Sequence, residues 1–172
     1  YSRQINYEDD PVRQAKLFAD SGAQWLHLID LDGAYTGRPV NLETIASITS
    51  NTKLRVEVGG GIREESSIMQ LLDLGVERVI VGTKAITDFA WFSDMAHRFR
   101  NRLVLGLDAR GANIATHGWT KESSQHVLDF ARQAASLPIA AIVYTDISKD
   151  GMLAGPNLER TTALAEAIEV PV

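Results

Sequence analysis

Apolar runs alternate with amphipathic segments along the whole chain. Five runs read as strands: Trp25–Leu31, Leu54–Val58, Arg78–Val81, Leu103–Leu107 and Ala140–Tyr144. Most are near-continuous in hydrophobic residues rather than alternating, the pattern of strands buried on both faces of a parallel sheet. Helical patterns lie between them. Asp10-Pro11 opens the first, since Asp caps free N–H groups and Pro suits the first helical position; Val12, Ala15, Phe18 and Ala19 share a face, and Gly22 closes it. Asn41 opens the second, with Leu42, Ile45 and Ile48 on one side. Ile68, Leu71, Leu72 and Leu74 mark the third, ended by Gly75. Thr87 or Asp88 caps the fourth, which carries Phe92, Met95 and Phe99. Val127, Phe130, Ala131 and Ala134 mark the fifth; Asn157 caps the sixth, with Leu158, Leu164 and Ile168 inward. Val170-Pro171-Val172 reads as the start of another strand.

Predicted strand centres fall roughly 25 to 37 residues apart, the cadence of βα units in a barrel or a doubly wound sheet. A repeat is also visible. Leu28-Ile29-Asp30-Leu31-Asp32-Gly33 is followed by Asn41-Leu42-Glu43, and Val143-Tyr144-Thr145-Asp146-Ile147 by Asn157-Leu158-Glu159. Each Asp precedes its Asn by 11 residues, and the copies are 116 residues apart, or four units of 29. Two similar half-barrels would give such a repeat.

Composition narrows the classes. With 172 residues, 45% of them hydrophobic, the chain can bury a real core and is not a disordered segment. No apolar run of about 18 residues is present, so no membrane span is expected. No charged-then-apolar leader opens the chain, and the expectation is a cytoplasmic, soluble α/β domain. The absence of Cys removes disulfides, thiolate metal sites and cysteine nucleophiles. Seventeen basic against 22 acidic residues give a net charge of -5 without a Lys/Arg cluster, which argues against nucleic acid.

The sharpest local signal is Val56-Glu57-Val58-Gly59-Gly60-Gly61-Ile62-Arg63. A strand there runs into three glycines and a helix start. Glycines let a ligand approach backbone N–H groups, the helix start adds partial positive charge, and Arg63 offers a bidentate partner, so the place suits phosphate. A tight turn without a ligand would look similar. Val79-Ile80-Val81-Gly82-Thr83 ends the next strand in the same way, which makes a shared phosphate cradle the stronger reading.

Carboxylates recur at strand ends: Asp30, Asp32, Asp108, Asp146 and Asp150. The carboxyl ends of the strands in a parallel barrel converge on the active site. Asp108, just past an apolar strand, suits a general acid or base, although any one of these acids could instead cap its loop. Asp150-Gly151 also suits a turn. His117-Gly118-Trp119 falls in a long loop, where the aromatic can stack on a planar substrate or plug the loop. The Thr145 hydroxyl can hold a substrate or orient an acid. His27 lies inside a strand; His97 and His126 read as surface groups on helices. No His/acid spacing suits a metal, so none is expected.

Taken in order, Leu26-His27-Leu28-Ile29-Asp30-Leu31-Asp32-Gly33-Ala34, Val58-Gly59-Gly60-Gly61-Ile62-Arg63, Val81-Gly82-Thr83, Leu107-Asp108, His117-Gly118-Trp119 and Thr145-Asp146-Ile147-Ser148-Lys149-Asp150-Gly151 resemble the phosphoribosyl isomerase family of histidine biosynthesis over essentially the whole chain. The resemblance implies a (β/α)8 TIM barrel of the ribulose-phosphate-binding type, built from two half-barrels and present here as a single partial barrel over residues 1–172. It implies an Amadori rearrangement, an aldose–ketose isomerisation, with no cofactor and no metal. An acid opens the furanose ring to a Schiff base, and a base removes the C2 proton. The substrate carries two phosphate groups, one at each end; the protein is expected to be a monomer.

By the same resemblance Asp108 matches the proton donor, Asp150 an acid of the sixth-unit loop, and Thr145 a strand-end hydroxyl near the reacting sugar. Gly60, Gly61, Arg63, Gly82 and Thr83 match one phosphate site, and Trp119 the stacking aromatic. The family's base lies in an Asp-Leu-type run on the first strand, whereas Tyr1 reads as already in the first βα loop. The second phosphate site follows strands seven and eight, beyond Val172. The related cyclase has a sixth strand closer to Ser-Ile-Asp-x-Asp-Gly, unlike Thr145-Asp146-Ile147-Ser148. A bifunctional isomerase that also serves tryptophan synthesis remains an alternative, as does an inactive fragment that binds one phosphate or self-associates through open sheet edges.

Overall fold

A computed structural model describes residues 8–116, 119, 121–153 and 155–172. Among the described residues the first element is helix α1 (Pro11–Asp20), and Asp10 caps it by accepting from the Val12 and Arg13 N–H groups. Strand β1 (Trp25–Ile29) leads into a short helix α2 (Leu31–Thr36) and then α3 (Leu42–Asn51). Strand β2 (Arg55–Gly59), helix α4 (Glu65–Asp73), strand β3 (Arg78–Val81) and helices α5 (Thr83–Thr87) and α6 (Phe89–Arg98) follow. Strand β4 (Leu103–Arg110) runs into an antiparallel excursion, β5 (Asn113–Thr116) and β6 (Lys121–His126), before helix α7 (Val127–Ala135). Strand β7 (Ala141–Asp146) and helix α8 (Leu158–Ala167) complete the described elements.

Five strands pair in parallel in the order β1-β2-β3-β4-β7, with β5 and β6 attached antiparallel to the far end of β4. This is the curled, helix-covered sheet of the (β/α) barrel kind. Side chains alternate across it. Val56, Val58, Val79, Val81, Leu103, Leu105, Leu107 and Ile142 face the helices and join Ile45, Ile48, Ile68, Leu71, Phe92, Phe130 and Leu164 in one core. The other face is the inside of the curl. There Ile80 and Val104 meet Ala141. Ile80 fills the room left by Gly59 and Gly106, where a Cβ would lie 3.3 and 3.2 Å from its atoms. Trp25, on the same face, is covered by the guanidinium groups of Arg55 and Arg78 at 4.1 and 4.3 Å.

Several sequence expectations are corrected. The first strand ends at Ile29 rather than Leu31, because the Asp30 carboxylate accepts from the Gly33 N–H and starts α2. The region after Asp108 is a β-hairpin rather than a long loop, and His126 ends β6 instead of lying on a helix. Asp108 and Thr145 lie within strands that run further than expected. Asp88, not Thr87, caps α6 through the Trp91 N–H. Phe18 and Leu158 are exposed rather than inward. Residues 170–172 form no strand, although the Pro171 carbonyl accepts from the Ile142 N–H at 2.8 Å and so lies alongside β7.

Candidate active site

The parallel strands bring their carboxyl ends together on one rim, and register decides which residues meet there. Asp108 on β4 stands directly opposite Thr145 on β7. Both continue the inner-face alternation of Val104 and Gly106, and of Ala141 and Val143. Asp108 is half-buried. Trp119 reaches back from the hairpin, and its indole Nε1–H donates to Asp108 Oδ2 at 2.9 Å. Trp119 is 39% exposed and takes a left-handed backbone, φ 71°. Its neighbours His117 and Gly118 fall outside the described residues.

Asp150 sits on the exposed loop after β7. Its N–H and that of Lys149 bond the Asp146 carbonyl at 3.0 and 2.9 Å, which turns the chain back over the strand end. Thr145, Lys149 and Asp150 line a cavity of about 380 Å³ together with Tyr144 and Asn157. Asp108, Thr145 and Trp119 therefore form one group, joined through Thr145 to the loop that carries Asp150.

Gly60, Gly61 and Arg63 follow β2, and Gly82 and Thr83 follow β3. Gly60 and Gly61 have φ 108° and 76°, and a Cβ on either would overlap a backbone carbonyl, of Asp30 and of Gly33 respectively. Close packing of the β1–α2 turn against the β2 turn thus demands these glycines, whatever they bind. The Arg63 guanidinium lies over Gly37, where a Cβ would come within 2.6 Å of Nη1. Glu64 and Gly82, which precede α4 and α5, make no side-chain cap, and neither do Asn41 before α3 and His126 before α7, whereas Asp10, Asp30, Asp88 and Asn157 cap their helices. Gly82 also abuts Gly106 on β4, where a Cβ would sit 3.5 Å from the Gly82 Cα. The glycine turns and the Asp108 strand are therefore next to each other.

The remaining strand-end acids have other partners. Asp30 is 2% exposed; its carboxylate accepts from the N–H groups of Gly33, Val40 and Asn41 and from the Asn41 amide. Burial alone would raise its pKa, but these four hydrogen bonds together hold it below the ordinary carboxylate range. The Ser148 hydroxyl and the Asn157 amide hold Asp146 low against the opposing effect of burial. Asp32 pairs with the Asn41 amide at 3.0 Å. His27 shares a hydrogen bond of 2.8 Å with Glu57. Among the described residues no group of three or more His, Asp or Glu could hold a metal ion, and no helix is long and apolar enough to cross a membrane.

The sequence missed how these acids divide. Thr145 and Asp146 are consecutive, yet one faces inward and the other faces the helices; the period of two along β7 was the only available signal.

A family model described as "Histidine biosynthesis protein" matches residues 1–172. The 1-(5-phosphoribosyl)-5-((5-phosphoribosylamino)methylideneamino) imidazole-4-carboxamide isomerase of Acaryochloris marina is 44% identical over 172 residues, which is 100% of this chain and 67% of that protein. The protein of the same name from Paracoccus denitrificans is 45% identical over 163 residues, 95% of this chain and 68% of its own. That of Listeria innocua is 43% identical over 170 residues, 99% of this chain and 71% of its own. The chain thus spans about two thirds of the length of these relatives. With a parallel βα sheet of the barrel kind and a family match from end to end, the chain belongs to the histidine biosynthesis protein family.

Proposed function

We propose that this chain carries the aldose–ketose isomerase chemistry for which its relatives are named, on a phosphorylated ribotide. The observation that carries the reading is the inner-face pair of Asp108 and Thr145, with Trp119 hydrogen-bonded to Asp108. Asp108 donates a proton to the ring oxygen, the C1–O bond breaks and a Schiff base forms. A base then takes the proton from C2 to give the enolamine; a proton delivered to C1 and loss of the C2 hydroxyl proton, which restores Asp108, complete the aminoketose. Hydrogen moves within the substrate, so no external oxidant or reductant enters the balance.

Trp119 donates its indole N–H to one oxygen of Asp108. When the indole stacks on the planar base of the substrate instead, that oxygen is freed toward the sugar. Thr145, opposite, holds a sugar hydroxyl, and Asp150 assists proton transfer from the loop above. Gly60, Gly61, Arg63, Gly82 and Thr83 take one of the two phosphates. Support for this comes from helix starts without side-chain caps and from the cationic Arg63 beside them.

The test is Asp108→Asn in the full chain. General acid catalysis contributes about 100- to 10,000-fold, so kcat should fall by that much while KM and melting temperature stay close to the parent's. Turnover that survives the change would remove Asp108 from the mechanism.

A further inference from the structure

The strand-end acids that face away from the site form a device of their own. Asp146 follows Ile142 and Tyr144 on the helix-facing side of β7. It is only 9% exposed. Its Oδ1 accepts from the N–H and the hydroxyl of Ser148 at 3.0 and 2.7 Å, and its Oδ2 accepts from the Asn157 amide at 2.7 Å. The amide oxygen of Asn157 accepts from the Arg160 N–H at 3.2 Å and so caps α8. One asparagine therefore ties the end of β7 to the start of α8. The ten residues between are closed at the neck, and this loop bears Lys149 and Asp150.

Asp30 and Asn41 repeat the amide–carboxylate contact after β1, at 2.7 Å, although the Asn41 side chain does not cap α3. The same 11-residue spacing thus yields the same contact in both halves. Neither carboxylate can deliver a proton to the inner face, because each is buried, on the helix side, and engaged at both oxygens.

We propose that Asp146 and Asn157 are positioning residues, whose bond closes the 147–156 loop at its neck and so sets where Thr145 and Asp150 stand against a substrate on the inner face. The role rests on the isomerase reading of that site. Catalytic groups displaced by about 1 Å can lose about 100-fold in rate. Substrate affinity comes largely from the glycine turns and Arg63 on other strands. The bond should therefore act on kcat more than on KM.

Variants of the full chain separate this role from simple stability. Asn157→Ser keeps the cap, since Ser accepts from the Arg160 N–H, but is too short to reach Asp146. Asp146→Asn alone leaves the Asn157 contact with two facing amides. The double variant Asp146→Asn/Asn157→Asp rebuilds the contacts with polarity reversed. The new amide at 146 still accepts from Ser148 and now donates to 157, and the new carboxylate at 157 still caps α8.

Loss of roughly tenfold or more in kcat is expected for Asn157→Ser, with KM within about twofold, and the double variant should recover to within about threefold of the parent. Hydrogen exchange of the Ser148 and Asp150 N–H groups, read without substrate, should quicken in Asn157→Ser and recover in the double variant. Parental exchange in Asn157→Ser would overturn the anchor, whether or not the chain turns over. A double variant with parental exchange but the slow kcat of the single would overturn the positioning role. Absence of turnover in the parent tested at the full length of its relatives would overturn the reaction assigned to the site, and the positioning role with it.

Discussion

Replacing Asp30 by Asn tests what a buried, saturated carboxylate contributes to this fold. In the parent, Oδ1 accepts from the Gly33 N–H at 2.9 Å and the Asn41 amide at 2.7 Å, and Oδ2 from the Val40 and Asn41 N–H groups at 2.7 and 3.1 Å. An amide offers one acceptor oxygen. In either orientation its NH₂ faces two of these donors and leaves them without a partner. Hydrogen bonds to a charged acceptor contribute about 1.5–3 kcal/mol each, and removal of a buried charge returns part of the loss, so about 2–4 kcal/mol net is expected. For a domain of this size that corresponds to a fall of roughly 5–15 °C in melting temperature. The pH dependence has a definite sign. Hydrogen bonding holds the folded-state pKa of Asp30 below the ordinary 3.8 despite the opposing effect of burial. Its stabilisation is therefore fully present above the unfolded pKa and is lost as pH falls through the lower folded value. Urea unfolding of parent and Asp30→Asn between neutral pH and pH 2.5 should show the widest gap at neutrality. The gap should close below about pH 4, as the parent carboxyl takes up its proton. A gap that is absent at neutral pH, or constant throughout, would refute the argument.

Two further outcomes follow from the same geometry. Gly60→Ala should leave little folded protein in circular dichroism, because φ is 108° and the Cβ overlaps the Asp30 carbonyl. Gly151→Ala, with φ 68° and nothing within 4 Å, should lose only the roughly 1–2 kcal/mol of a left-handed alanine. Trp119→Phe should keep KM within a few-fold of the parent. Trp119→Ala should raise it roughly three- to tenfold, the range of an aromatic contact. Equal KM values for the two would deny the ring a stacking role.

The parallel strands were legible in the sequence because strands buried on both faces read as apolar runs, as Val79-Ile80-Val81 and Leu103-Val104-Leu105 do. The hairpin was not. Its second strand, Lys-Glu-Ser-Ser-Gln-His, has no apolar face, and its order comes from pairing with β5, itself laid on an extension of β4. Helix α2 escaped for a related reason. Leu31–Thr36 has six residues, a glycine among them, and starts because a carboxylate three residues before Gly33 accepts its N–H. The candidate site was legible in its residue types but not in their directions, since Thr145 and Asp146 differ by one step of a two-residue period.

The repeat gains a physical meaning from this. Equal spacing of Asp30–Asn41 and Asp146–Asn157 suggested duplication; the contacts show what the spacing preserves, a carboxylate at a strand end bound by the amide of an asparagine 11 residues on, before α3 in one copy and α8 in the other. Within that constraint the two loops have diverged. The first folds into α2 and packs its backbone on Gly60 and Gly61, so that loop and glycine turn support each other. The second is more open, with Met152 and Leu153 exposed and free space where a Cβ on Gly151 or Gly155 would sit. A shared neck thus permits one loop to act as a fixed wall beside the glycine turns and the other to carry Asp150 into the cavity that Thr145 also lines. Changes inside the second loop should be tolerated by the fold and felt in turnover. Changes at either neck should be felt at once in the elements on both sides of it.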